Sequence, residues 1–200
     1  MKVEGIIALA GFALVATITP GGATAIATAS GAHFGLRRSV PVLGGIAAAL
    51  AVMAASAAAG LGGLLLAVPL LRVALKVLGT VYLIWLAVRT ARSGSPRTSE
   101  NGEQPISFWG GVVLLLYNPK GWAMTASAAA SFASLLASPG FLAALFGSVF
   151  AVAASVSLLV WCLLGVVLAR LLKSSRQWRA LNLILALLLV VSVVPIWLEG

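Results

Sequence analysis

Residues 5–30 read GIIALAGFALVATITPGGATAIATAS, and they are the clearest indication of the fold in this chain. It contains no Asp, Glu, Lys or Arg, and it is longer than the roughly 20 apolar residues that a helix needs to cross a bilayer. Its middle is interrupted by Thr19-Pro20-Gly21-Gly22. Proline removes a backbone donor and clashes with the preceding turn, and glycine allows the backbone to unwind. The stretch therefore predicts a membrane-spanning helix with a break near its centre.

The rest of the chain has a similarly apolar composition. Hydrophobic residues make up 62% of the 200 positions and charged residues only 8%, whereas soluble domains have about 45–50% and about 25%. This composition excludes a soluble enzyme, a nucleic-acid-binding domain and a disordered chain. It predicts an all-α integral membrane protein with six spans, approximately Gly5–Ser30, Val40–Gly60, Leu64–Val88, Ile106–Phe132, Phe141–Ala169 and Ala180–Leu198.

The positions of the basic residues predict the orientation. The net charge of +9 would suggest a nucleic-acid partner for a soluble protein, but cytoplasmic loops of membrane proteins also carry an excess of Lys and Arg. Nine of the 13 basic residues fall in the first, third and fifth connections. We therefore predict cytoplasmic odd-numbered loops, both termini outside and no nucleic-acid partner. The nine residues are Arg37, Arg38, Arg89, Arg92, Arg97, Arg170, Lys173, Arg176 and Arg179.

A cleaved signal peptide is the alternative interpretation of the first run. Ala23-Thr24-Ala25 resembles the small-residue cleavage site of such peptides. Cleavage would leave Arg37 and Arg38 outside, which the excess of basic residues in cytoplasmic loops disfavours.

A second break lies inside the fourth run, at Asn118-Pro119-Lys120-Gly121. Pro20 and Pro119 are 99 positions apart, and the hydrophilic stretch 91–105 separates residues 1–90 from residues 106–200. We predict that these halves are two three-helix repeats. An odd number of spans per repeat places the copies in opposite orientations, and paired broken helices in inverted repeats are typical of secondary transporters, whose substrate sites lie at the breaks.

The two breaks therefore supply the candidate substrate-binding or gating residues. Lys120 is the only charge well inside a span, and such a charge is a functional candidate by default. Its amine could bind a substrate carboxylate, gate the site, cap the end of the preceding half-helix, or reach toward the outer face. Proline kinks without function are the plainer alternative. The candidates are Thr19, Pro20, Gly21, Gly22, Tyr117, Asn118, Pro119, Lys120 and Trp122.

Three residues outside the breaks also have side chains of interest. His33 lies near the cytoplasmic end of the first span and is a candidate for proton coupling, since histidine titrates near neutral pH; a solvated interfacial histidine is the alternative. Trp161 lies deep in the fifth span, as a packing residue or a pocket wall. Cys162 is the single cysteine and is expected to be a small buried hydrophobe.

The sequence lacks the motifs of several kinds of catalysis and metal binding. No acidic residue lies within a predicted span, and the chain has no Walker A loop, no HExxH and no GxSxG. One histidine and one cysteine suggest no metal site. We therefore expect no catalytic residues, no metal and no cofactor.

Four segments of the chain, taken in order, match the motifs of a known family. They are Thr19-Pro20-Gly21 followed by Gly31–Gly45, then Lys76, Gly79, Tyr82 and Leu83, then Asn118, Pro119, Lys120 and Trp122. Together they resemble the lysine exporter (LysE) superfamily, in particular its RhtB-type homoserine/threonine and amino-acid efflux proteins. The resemblance covers most of the chain. Gly22 and Ala23 replace the Pro and Asn of the family's first break, and Gly121 replaces its usual Ala.

The resemblance implies a multi-pass protein of the bacterial inner membrane that exports amino acids or related small zwitterionic metabolites and is driven by the proton-motive force. Its partners are then the lipid bilayer and an amino-acid-like substrate, and a homo-oligomer stays open. A non-transporting accessory or lipid-interacting membrane protein is the alternative function. It predicts that no water-accessible path reaches the breaks.

Overall fold

The computed structural model describes residues 3–60, 69–92, 104–132, 135, 138–191, 193 and 194. Within these residues the chain is helical and contains no strand. The helices are α1 Val3–Ile18, α2 Gly22–Ala58, α3 Pro69–Arg92, α4 Phe108–Leu116, α5 Pro119–Phe132, α6 Pro139–Leu171 and α7 Ser175–Val191.

Helix α2 consists of two arms that meet at Gly35. This residue has φ 73° and ψ 171°, a combination that essentially only glycine adopts. The hydroxyl of Ser30 donates to the hydroxyl oxygen of Ser39 at 2.8 Å, although nine residues of straight helix would rise about 13.5 Å. The chain therefore turns back at Gly35, and the arm before it completes the first predicted span while the arm after it forms the second.

The predicted runs and the observed helices agree in their main features. The first and fourth runs are each divided at the predicted break, between α1 and α2 and between α4 and α5. Helix α7 begins at Ser175, five residues before the predicted start at Ala180. Parts of the third and sixth runs, and most of the hydrophilic stretch 91–105, lie outside the described residues.

Two helix crossings form the centre of the bundle, and glycine makes both of them possible. A Cβ at Gly31 would overlap the carbonyl of Cys162, and one at Gly165 would overlap the carbonyl of Thr28, so α2 and α6 pack backbone against backbone. A second crossing joins α2 to α4, where a Cβ at Gly111 would overlap the carbonyl of Val42. Small residues at such positions are how helices approach closely in membranes.

The outer surface of the bundle is apolar. Large hydrophobic side chains such as Val15, Val152, Leu187 and Trp109 are more than 60% exposed. Soluble proteins do not expose apolar surface on this scale. Among the described residues, α6 and α2, the latter taken through its bend at Gly35, are also long and apolar enough to cross a membrane. Both features are consistent with the predicted integral membrane protein.

Two of the basic connections lie at one end of the bundle. The ring of His33, next to the Gly35 bend, packs edge-on against Trp178 at the start of α7, with 6.4 Å between ring centroids. The Gly35 bend and the α6–α7 connection are therefore neighbours. We call this the basic end, defined by Arg37, Arg38, Arg170, Lys173, Arg176 and Arg179.

Candidate functional site

The first break leaves the carbonyl end of α1 without its usual helical partners. Pro20 has no N–H, so the carbonyl of Ala16, four residues earlier, loses its helical donor. The N–H of Gly21 donates instead to the hydroxyl oxygen of Thr24 at 2.8 Å. In a low-dielectric interior such freed carbonyls need other donors.

Three side chains from the other half of the molecule supply donors to successive carbonyls. The Ser157 hydroxyl donates to Thr17 O at 2.8 Å, and the Trp161 indole N–H donates to Ile18 O at 3.0 Å. Lys120 Nζ donates to the carbonyl of Thr19 at 2.6 Å. Ser157 and Trp161 are four residues apart on α6 and therefore lie on the same helix face. The conformation of the first break thus depends on α5 and α6.

The second break is held by its own residues. The Asn118 side-chain oxygen accepts from the backbone N–H of Lys120 at 3.1 Å, and the Trp122 indole donates to Leu116 O at 2.8 Å. The carbonyl that Pro119 deprives of its helical donor, that of Leu115, accepts from the N–H of Asn118 at 2.8 Å. The second break is therefore locally satisfied, and the Lys120 ammonium is free to reach the first.

Lys120 is thus the physical link between the two breaks. It lies in the first turn of α5, at the positive end of that helix dipole, and its ammonium binds the negative end of α1. Gly21 makes room for it, because a Cβ there would lie 3.3 Å from Lys120 Cδ. Of the alternatives raised for Lys120, the structure shows capping, but of α1 in the other half rather than of the preceding half-helix α4.

A cleft with about 380 Å³ of unfilled space lies at this link. This space includes open solvent, and only about 30 Å³ of it admits the centre of a water-sized sphere, which is room for about two waters. The cleft must therefore widen to take up a solute. Polar lining comes from Thr17, Thr19, Thr24, Asn118, Lys120 and Ser157, and Lys120 is the one titratable side chain among the lining residues.

Five of the nine sequence candidates line the cleft: Thr19, Gly21, Gly22, Asn118 and Lys120. Four do not, namely Pro20, Tyr117, Pro119 and Trp122. The two prolines shape the backbone, Trp122 caps a carbonyl, and the Tyr117 side chain is 52% exposed. His33 lies at the basic end against Trp178, away from the cleft lining.

Sequence reasoning missed Ser157, Thr17 and Thr24. Small hydroxyl residues are common in membrane helices because they can bond within their own helix. Thr17 does so with Ala13 O at 2.8 Å. The available signal was the pair Ser157 and Trp161, two polar groups spaced by one helical turn in an apolar run. Among the described residues, no group of three His, Cys, Asp or Glu is placed to hold a metal.

Comparison with known proteins identifies the family. Residues 14–196 match the family model described as LysE type translocator. This chain belongs to the LysE type translocator family. The resemblance inferred from the breaks is thereby confirmed, and the family is one of transporters.

Curated relatives of this LysE-type chain carry an efflux name. A protein named cysteine/O-acetylserine efflux protein from Escherichia coli (strain K12) is 30% identical over 195 residues, which cover 93% of this chain and 94% of the relative. Its counterpart from Shigella sonnei (strain Ss046) matches with the same identity and coverage. A third, from Klebsiella pneumoniae, is 30% identical over 109 residues, covering 54% of this chain and 55% of that protein. No solved structure matches the chain significantly.

Proposed function

We propose that this LysE-type chain exports small zwitterionic amino acids, of the size and chemistry of cysteine and O-acetylserine, across the bacterial inner membrane. The observation that carries the proposal is the bond from Lys120 Nζ to Thr19 O, 2.6 Å long, which joins both broken helices at one cleft. Family membership and the names of the relatives support efflux as the direction of transport.

The proposed architecture is six transmembrane helices in two inverted three-helix repeats, residues 1–90 and 106–200, joined by the cytoplasmic loop 91–105. This architecture is supported by the way in which helices of each half pack on helices of the other half. The arm of α2 before Gly35 belongs to the first broken helix and crosses α6, while α4 belongs to the second broken helix and crosses the other arm of α2. Each broken helix thus packs on the second helix of the other half, which supports an inverted repeat; the packed segment lies after the break in the first half and before the break in the second.

The proposed mechanism is alternating access around the cleft. At the basic end, the backbone contacts at Gly31 and Gly165 leave no space for solute between α2 and α6. The basic end is the cytoplasmic side in the predicted orientation, with both termini outside. The described conformation is then closed toward the cytoplasm, and substrate loading requires α2 and α6 to separate there.

Asn118 and Lys120 have different roles in this proposal. Lys120 gates the cleft and contacts the substrate, because its ammonium reaches the opposite break. Asn118 is a positioning residue, because its side chain is only 5% exposed and holds the backbone N–H of Lys120.

Efflux of labelled cysteine from cells tests the function. At equal protein level, Lys120→Ala should lower the initial efflux rate at least about tenfold, the size expected for one lost charge-assisted bond. Asn118→Ala should lower it about two- to tenfold, the size expected for one lost neutral bond. Lys173→Ala is the matched control, because Lys173 is an exposed cation at the basic end and its loss should leave efflux unchanged. Parental efflux rates in both variants would rule out the assigned site, and no efflux above vector controls would favour the non-transporting alternative.

The proton-motive force is the proposed drive. A protonophore should abolish accumulation of cysteine against its gradient and leave downhill flux intact. If His33 carries the coupling proton, His33→Gln will retain downhill flux and lose uphill transport. Retention of both by this variant would assign the coupling to another group.

A further inference from the structure

The carbonyl end of α1 holds one cation, the ammonium of Lys120. Four consecutive carbonyls, from Ala16 to Thr19, lie at or beside the proline break, and the helix dipole adds partial negative charge there. Ala16 and Thr19 line the cleft. No acidic side chain is present among the residues that the structure places along this cleft, so backbone oxygens provide its negative end.

The three donors at this surface differ in how easily they can leave. Ser157 is fully buried and on α6, and Trp161 is a rigid ring anchored to the same helix. Lys120 is attached through a flexible four-carbon stem to α5, and its ammonium is the charged donor of the three. A second cation entering the cleft would therefore compete with Lys120, and not with the two neutral donors.

We propose that the Lys120 ammonium occupies the binding position of the substrate's own ammonium group, and that substrate binding exchanges one ammonium for the other. This inference rests on the proposed export function and specifies how the same site recognises its substrate. The substrate ammonium takes the carbonyl of Thr19, and the released Lys120 pairs with the substrate carboxylate. Both charges of a zwitterion are then matched, while Lys120 keeps a partner in either state.

The starts of α2 and α5 favour this arrangement of charges. Gly22 and Lys120 lie in the first turns of these helices and both line the cleft. Helix N-termini stabilise anions and C-termini stabilise cations. A zwitterion with its ammonium at the end of α1 and its carboxylate toward α2 and α5 is therefore oriented by the backbone itself. Gly21 matters here because it leaves space for the Lys120 stem to move.

Competition in vesicles tests the exchange. Proteoliposomes containing the full chain are loaded with cysteine under reducing conditions, and entry of labelled cysteine by counterflow is inhibited with analogues. At mildly acidic pH, where its amine is protonated, cysteine ethyl ester retains the ammonium and lacks the carboxylate, whereas N-acetylcysteine retains the carboxylate and lacks the ammonium. In the unmodified protein N-acetylcysteine should inhibit at least about tenfold less than cysteine, since the carbonyl surface offers it no partner.

The Lys120→Met variant provides the decisive contrast. In the unmodified protein, cysteine ethyl ester should inhibit more weakly than cysteine. In Lys120→Met, which has no resident ammonium, the ester should inhibit about tenfold more strongly than it does in the unmodified protein, and as strongly as cysteine. Lys120→Arg keeps the charge, so cysteine should still inhibit counterflow more strongly than its ester does. Empty liposomes correct for passive entry of the ester.

The outcomes separate this inference from the proposed function. Counterflow that N-acetylcysteine inhibits as well as cysteine does would overturn the exchange and leave export standing, and this comparison needs no variant. Unchanged or weaker inhibition by the ester in Lys120→Met would overturn it as well, and would show that Lys120 only binds the carboxylate. Absence of counterflow in the unmodified protein would overturn both export and exchange.

Discussion

Removing the Ser157 hydroxyl tests whether the first break is held from the other half of the molecule. Ser157 is fully buried and donates to Thr17 O at 2.8 Å. The usual helical donor to that carbonyl, the N–H of Gly21, is bonded to Thr24. Ser157→Ala therefore leaves a buried carbonyl without its donor. Such a loss costs about 1–3 kcal/mol in soluble proteins, but polar contacts between membrane helices average about 0.6 and reach about 1.7 kcal/mol.

We expect Ser157→Ala to lower the free energy of unfolding by about 0.6–1.7 kcal/mol and to slow cysteine efflux. Reversible unfolding in mixed micelles, followed by circular dichroism, measures the first quantity. Ser148→Ala is the matched control on the same helix, because the Ser148 hydroxyl donates to Leu145 O within α6 at 3.0 Å and is exposed. Its effect should stay within about 0.5 kcal/mol.

Equal changes of stability and efflux in the two variants would show that Ser157 does not hold the first break. A neutral Ser157→Ala in both measurements would show the same, because the break would then keep its conformation without this donor. A loss of stability with full efflux would restrict Ser157 to a structural role.

Two glycine substitutions test the central packing and the bend. Gly165→Ala places a Cβ against the backbone of Thr28; we expect a loss of about 1–3 kcal/mol from overpacking, whereas Gly11→Ala, with open space around it, should gain up to about 1 kcal/mol of helix propensity. Equal unfolding free energies would contradict the close crossing. Gly35→Ala should cost about 1–3 kcal/mol because φ is 73° there, and a neutral result would show that the two arms of α2 do not need this bend.

The fold class followed from local features because the bilayer imposes them locally. Each apolar run must satisfy its own backbone hydrogen bonds as a helix, so run length and composition suffice to predict apolar helices. Pro20 and Pro119 act on the residues directly before them, and both breaks could therefore be placed from sequence. The runs ending at Ser30 and starting at Val40 predicted a connection between them. They did not predict that a bend at Gly35 alone would form it, because a glycine in a helical run is often tolerated without any change of direction.

The sequence predicted half of the polar residues that line the cleft and missed the other half. Lys120 and Asn118 stood out because polar groups are costly inside a span. Ser157 and Thr17 did not, because a hydroxyl in a membrane helix can bond its own backbone and carries no sign of a distant partner.

Local sequence was enough to predict that the chain is helical, that it belongs in a membrane, and where two of its helices break. These properties depend on side-chain transfer energies and on the covalent geometry of proline and glycine. Only the tertiary structure decided which groups satisfy the breaks: the first is capped from α5 and α6, the second by its own residues, and Lys120 crosses to the end of α1. The physical reason is that a freed carbonyl specifies the need for a donor but not its source, which depends on helices brought together at Gly31, Gly111 and Gly165.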